Sequence, residues 1–137
     1  MKIKRANQIE PVAFAGGVST RMLTESDKMG FGVCKTVIPK GGPHHWHYQN
    51  HLEACYCIKG EGIITDLKTG NKHLVLPDIM YVLDNHDDHT FEAIKDTVLI
   101  SVFNPPLTGF ETHDENGNYD MSNINNHPIG VGINKKS

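Results

Sequence analysis

The chain has 137 residues, 13 Lys and Arg against 16 Asp and Glu, and a formal charge of −3 with its nine histidines neutral. That length supports a single domain with a real core. With no basic run or stripe, nucleic acid and anionic membrane surfaces are poor partners, and a small polar solute is the expected ligand. Met1 to Asn7 lack the apolar centre of a signal peptide, and no apolar run approaches bilayer length, so a cytoplasmic protein is expected.

Short runs rich in Val, Ile, Phe and Tyr, separated by 13 Gly and 7 Pro, predict an all-β barrel or jelly roll with little helix. In chain order, Arg21 to Lys28 is the one segment read as a helical turn or two. Strands are expected at Phe31–Ile38, Leu52–Lys59, Gly62–Asp66, Lys72–Leu76, Met80–Leu83, His89–Ile94 and Thr97–Asn104. Asp66 to Asn71 supplies a hairpin turn with Gly70 at positive φ. Beyond Pro105-Pro106 the pattern dissolves into Gly, Asn, Asp, His and Ser. The domain is therefore placed at 1–120 and a flexible tail at 121–137. Cys34, Cys55 and Cys57 read as reduced packing thiols.

Four histidines, His44, His45, His47 and His51, fall within eight residues, and Glu53 follows. His45, His47, His51 and Glu53 share odd parity, which on one strand would turn them to one cavity. Imidazole and carboxylate together suit Fe, Mn, Ni or Zn. For His44 and His45 a solvent-exposed turn after Pro39 to Pro43 that binds nothing is the favoured reading. Glu53 is different: a carboxylate in an otherwise apolar strand needs a charge partner or a metal. His89 opens the alternating run His89, Phe91, Ala93 and has a similar claim, while Tyr81 reads from spacing alone as a core tyrosine with its hydroxyl satisfied.

Glu53, with six residues before Gly60, resembles the end of the first cupin motif, and Gly70, Pro77 and the Tyr81 to His89 stretch resemble the second imperfectly. The usual histidine pair is out of register, His47 lying six residues and His45 eight before Glu53. The run His51-Leu52-Glu53-Ala54-Cys55-Tyr56-Cys57 to Gly60-Glu61-Gly62, Met80-Tyr81 before Asp84, and Phe103 to Gly109 resemble one cupin family, ectoine synthase. Ser19-Thr20-Arg21, Met29-Gly30-Phe31 and Glu111 to Tyr119 agree with it.

The resemblance implies a cyclising dehydration of N-γ-acetyl-L-2,4-diaminobutyrate to the osmolyte ectoine, with Fe(II) or another divalent transition metal as Lewis acid. It puts metal ligands at Glu53, Tyr81 and His89, catalytic candidates at Tyr48, Glu111 and His113, and substrate contacts at Arg21, Thr36 and Phe103. It also implies a homodimer. Gly17, Cys34 and Ser101 depart from the family pattern around the substrate, Gly17 by removing an indole wall, so a different N-acylated diamino acid is the alternative substrate. A dioxygenase built on His45, His47, Glu53 and His89, and a non-catalytic solute- or metal-binding cupin, are the competing readings.

Overall fold

The computed structural model describes residues 1–114 and 117–119. The proposed tail, 121–137, lies outside them. Ten strands are present among the described residues: β1 (Val12–Phe14), β2 (Gly17–Leu23), β3 (Gly32–Ile38), β4 (Gly41–Trp46), β5 (Leu52–Lys59), β6 (Gly62–Asp66), β7 (Lys72–Val75), β8 (Met80–Leu83), β9 (His89–Ala93) and β10 (Thr97–Asn104). They form two antiparallel sheets, one ordered β1-β2-β3-β10-β5-β8 and one β4-β9-β6-β7. No helix among the described residues is long and apolar enough to cross a membrane.

Alternation along the strands decides what faces inward. In β10, Thr97, Leu99, Ser101 and Phe103 are buried; in β3, Cys34, Thr36 and Ile38; in β5, Glu53, Cys55 and Cys57; in β9, His89, Phe91 and Ala93. Register stacks these rows. Leu99 lies opposite Thr36 and Cys57, Ser101 opposite Cys34 and Cys55, and Phe103 opposite Glu53. The space between the sheets is thus apolar toward one end, around Ile38, Cys57, Leu99 and Phe91. Toward the other it carries Arg21, Ser101, Glu53 and His89. Each large side chain in the apolar part contributes about 1.5–3 kcal/mol by burial, enough to carry polar groups at the opposite end.

The strands expected from the short apolar runs agree with the structure to within a residue at each end. Three segments do not. The expected helical turn over Arg21 to Lys28 is instead the end of β2, where Arg21 pairs with Cys34, followed by a 3₁₀ turn at Glu25–Asp27. Thr24 and Asp27 cap that turn reciprocally, and Asp27 also binds Lys2 and Lys4, tying down the amino terminus. The surface turn expected at His44 and His45 is strand β4, paired with β9. β1 and β2 form a hairpin that alternation did not reveal.

Candidate active site

Glu53 is the second residue of β5 and is 7% exposed. Tyr81 on β8 lies opposite Cys55, so it is the diagonal neighbour of Glu53 on the inner face. His89 comes from the other sheet, where it begins β9 opposite Trp46 and Asp66. Its Nδ1–H donates to the Asp87 carbonyl at 2.9 Å. That bond leaves the lone pair on Nε2, which is buried and has no hydrogen-bond partner. Burial pushes the Glu53 carboxyl up to about 7 against hydrogen bonds from Cys55 and Ser101 that lower it. Burial likewise pushes Tyr81 far above its ordinary value, with the Cys55 and Glu53 charges acting the same way.

Carboxylate, phenol and an orphaned imidazole nitrogen form a donor set that a transition metal fits, since a cation would relieve both the desolvated carboxylate and the unpaired nitrogen. Among the described residues, no three of His, Cys, Asp and Glu are grouped to hold a metal. A site here therefore needs Tyr81. The histidine parity argument fails for His45 and His47 for a physical reason: β4 ends at Trp46 and β5 starts at Leu52, so alternation does not carry across the loop. His45 and His47 turn outward to Asp88, while His51 and Glu53 are inside. His44 stacks on Trp46 with ring centroids 5.8 Å apart.

The remaining candidates gather at the polar end. Arg21, 4% exposed, donates from Nε to Ser19 Oγ at 2.8 Å and from Nη2 to the Glu111 carbonyl at 2.7 Å. The Glu111 carboxylate accepts from the backbone N–H of Thr108, Gly109 and Phe110 and stands 3.9 Å from Arg21 Nη1. Tyr48 O–H meets His113 Nε2 at 2.9 Å. Burial, helped by the Arg21 charge, lowers His113 to about 3, so its imidazole is neutral and accepts the Tyr48 hydrogen. Thr36 Oγ1 and Ser101 Oγ are 2.9 Å apart, with Cys55 Sγ at 3.5 Å from Ser101. Phe103 is fully buried, edge-on to Tyr48.

A cavity of about 10 Å³ lies among Ser19, Thr36, Tyr48, Glu53, Tyr81, Ser101 and Tyr119, room for about one water. A cleft of about 590 Å³ opens between β7 and β8 and is lined by Tyr81, His89, Asp66, Lys72 and Asp87 among others. Tyr81 borders both. Gly17 does not leave an open wall: a Cβ there would sit 2.3 Å from the Val37 carbonyl oxygen. Phe14 and Trp46, 5.6 Å apart, close that end instead. The parity reading holds for His51, which is buried with Glu53, while sequence reasoning missed Tyr119, which stacks on Tyr48 at 4.6 Å. The position of Tyr119 comes from loop docking, which leaves no periodic signal.

Two antiparallel sheets enclosing a polar site give the chain a cupin-type fold. An RmlC-like cupin from Shewanella frigidimarina superposes with a TM-score of 0.60 at 17% identity, covering 77% of this chain and 91% of that one. The crystal structure of ectoine synthase from P. lautus superposes more closely, with a TM-score of 0.75 at 37% identity over 80% and 81% of the two chains. L-ectoine synthase of Marinomonas sp. (strain MWYL1) is 50% identical over 103 residues, 75% of this chain and 80% of that protein. That of Halalkalibacterium halodurans is 48% identical over the same shares. The ectoine synthase sequence profile matches residues 1–123, and the chain belongs to the ectoine synthase family.

Proposed function

We propose that this chain is a hydro-lyase that closes N-γ-acetyl-L-2,4-diaminobutyrate into ectoine with loss of water, using Fe(II) held by Glu53, Tyr81 and His89. The observation that carries the metal reading is the buried, unpartnered His89 Nε2 together with the desolvated Glu53 carboxyl. A bound Fe(II) or similar divalent cation supplies Lewis acidity to an amide carbonyl that is otherwise a poor electrophile.

The chain's own residues do the rest. Arg21 has Nη1 free of hydrogen bonds and offers it to the substrate carboxylate. Holding that end fixed, with Thr36 and Phe103 along the substrate, brings the free amine over the acetamide carbonyl and makes the attack intramolecular. Ring closure and dehydration move two protons from the amine nitrogen to the acetamide oxygen, which leaves as water; Tyr48, its hydroxyl held by the neutral His113 Nε2, donates to the oxygen and is reprotonated from the nitrogen in each transfer. Glu111, with its oxygens engaged by three backbone N–H groups, holds Arg21 in place.

A homodimer is part of the reading. An apolar groove of about 220 Å³ runs beside Leu52, Ala54, Val82 and Val102 where β8 ends its sheet, and an edge of this kind gains cover from a second copy. The substrate class is tested by offering the Fe(II)-loaded protein N-γ-acetyl-L-2,4-diaminobutyrate beside its one-carbon-longer and N-propionyl relatives. Fastest ring closure of the first is expected, and faster closure of either relative would reassign the substrate.

A further inference from the structure

Beside His89 Nε2, three buried nitrogen atoms at the polar end have no hydrogen-bond partner: Arg21 Nη1, His51 Nδ1 and His113 Nδ1. All three side chains border one ring. Tyr119 has the Arg21 guanidinium over it at 5.8 Å, His51 edge-on at 5.4 Å and His113 at 5.1 Å, while Tyr48 stacks against it. Folded interiors rarely leave buried polar nitrogen unpaired, because each such group forfeits its hydration without return. Several around a single side chain point to a ligand bearing acceptor oxygens.

His113 is engaged through Nε2 by Tyr48. Arg21 Nη1 has been given the substrate carboxylate above, whereas His51 has no role in that chemistry, and both stand near Glu111. The Glu111 carboxylate is already served by three backbone N–H groups, so the guanidinium retains capacity for a second anion. Room is the obstacle. The enclosed space is about 10 Å³ and Tyr119 is part of its wall, so withdrawal of that ring is what would open it to an acylated diamino acid. Among the described residues, the Tyr119 segment is tied to the β4–β5 loop by His47 N–H to the Gly117 carbonyl at 2.9 Å and Gln49 N–H to Asn118 Oδ1 at 3.0 Å, neither made by the Tyr119 side chain, so the ring can turn out without breaking them.

We propose that His51 joins Arg21 in binding the substrate's carboxylate, and that the Tyr119 ring fills this subsite until substrate displaces it. This rests on the function proposed above, since it identifies the end of the substrate that enters here. His51 presents the Nδ1–H tautomer to the carboxylate, and the bound anion takes the place of the ring edge.

The test is calorimetry on the Fe(II)-loaded protein with two non-cyclising probes, L-2,4-diaminobutyrate and 1,3-diaminopropane, which lacks the carboxylate. Folding of each variant is checked by circular dichroism. His51→Leu is expected to weaken diaminobutyrate binding about ten- to a hundredfold, the usual range for losing a hydrogen bond to a charged group, and to leave diaminopropane unchanged. For the acetylated substrate it is expected to raise KM with kcat nearly unaltered. Tyr119→Ala is expected to tighten diaminobutyrate binding by removing its competitor. Equal probe affinities in wild type and His51→Leu would overturn the role of His51. If the leucine variant does not fold, Tyr119→Ala decides: unchanged or weaker diaminobutyrate binding would overturn the proposal. Absence of ectoine formation by wild type would sink the functional reading instead, and the probe affinities decide the subsite without reference to turnover.

Discussion

At the scale of single residues, the polar end of the barrel is held in protonation states that burial dictates. His113 is lowered to about 3, and His51 and His89 are lowered in the same direction, each chiefly by desolvation. A base whose folded value lies below its unfolded one binds fewer protons when folded, so its contribution to stability is present above the unfolded value and is lost as pH falls. For His113 that window runs from 6.5 down to about 3. Thermal unfolding followed by calorimetry should therefore show a steep acid-side loss of stability, and His113→Phe, which keeps an aromatic ring among Phe14, Trp46 and Tyr48, should flatten it. An unchanged slope would place the proton uptake elsewhere. Glu53 acts oppositely without metal: its folded value of about 7 makes its burial cost grow as pH rises from 4.5. Glu111, 1% exposed, anchors both Arg21 and the Thr108 to Phe110 turn. Glu111→Leu should destabilise the protein by about 3–5 kcal/mol in urea unfolding, the range for breaking a buried ion pair from one side.

At the scale of elements, β10 is the axis of the larger sheet, since it pairs with both β3 and β5. Leu99 lies in its middle and is 1% exposed, so Leu99→Ala should cost about 2–5 kcal/mol as a core cavity. The segment carrying His113 and Tyr119 depends on Gly117, whose φ is +77 and whose added Cβ would lie 2.2 Å from the His45 carbonyl oxygen. Gly117→Ala should leave the barrel folded but unseat this segment, seen as faster proteolytic cleavage near residue 117 and a fall in turnover. Normal cleavage and turnover would show that the segment docks without it. What sequence could and could not reveal follows from the same elements. β3, β5, β6, β7, β8, β9 and β10 were legible as short runs rich in β-branched and aromatic residues set off by Gly and Pro. β2 escaped because it turns Ser19 and Arg21 inward, so the polar residues that mark a solvent face elsewhere face the site here. β4 escaped because Gly41-Gly42-Pro43 reads as a turn. Tyr81, a core tyrosine by spacing, is understood only through its register with Cys55 beside Glu53. His51 and Tyr119 come together through a loop and the segment after β10, which no local pattern records.

At the scale of the whole molecule, the two sheets divide the labour, one supplying Glu53, Tyr81 and Arg21 and the other His89, so the site exists only when both are packed together. The outer face near β8 carries Ile58, Met80 and Val82, each about half exposed. Light scattering should give the mass of two chains, and Val82→Lys should shift it toward one; a wild-type monomer would remove the dimer from the account. The central claim is that the Glu53, Tyr81, His89 set holds a metal that cyclises N-γ-acetyl-L-2,4-diaminobutyrate. Its most direct test is anaerobic incubation of the Fe(II)-loaded protein with that substrate, following the ring product by NMR beside Glu53→Ala. Ectoine formation by the wild type, abolished together with iron retention in the variant, is the predicted result. Iron bound with no ectoine formed, or ectoine formed as fast by Glu53→Ala, would contradict it.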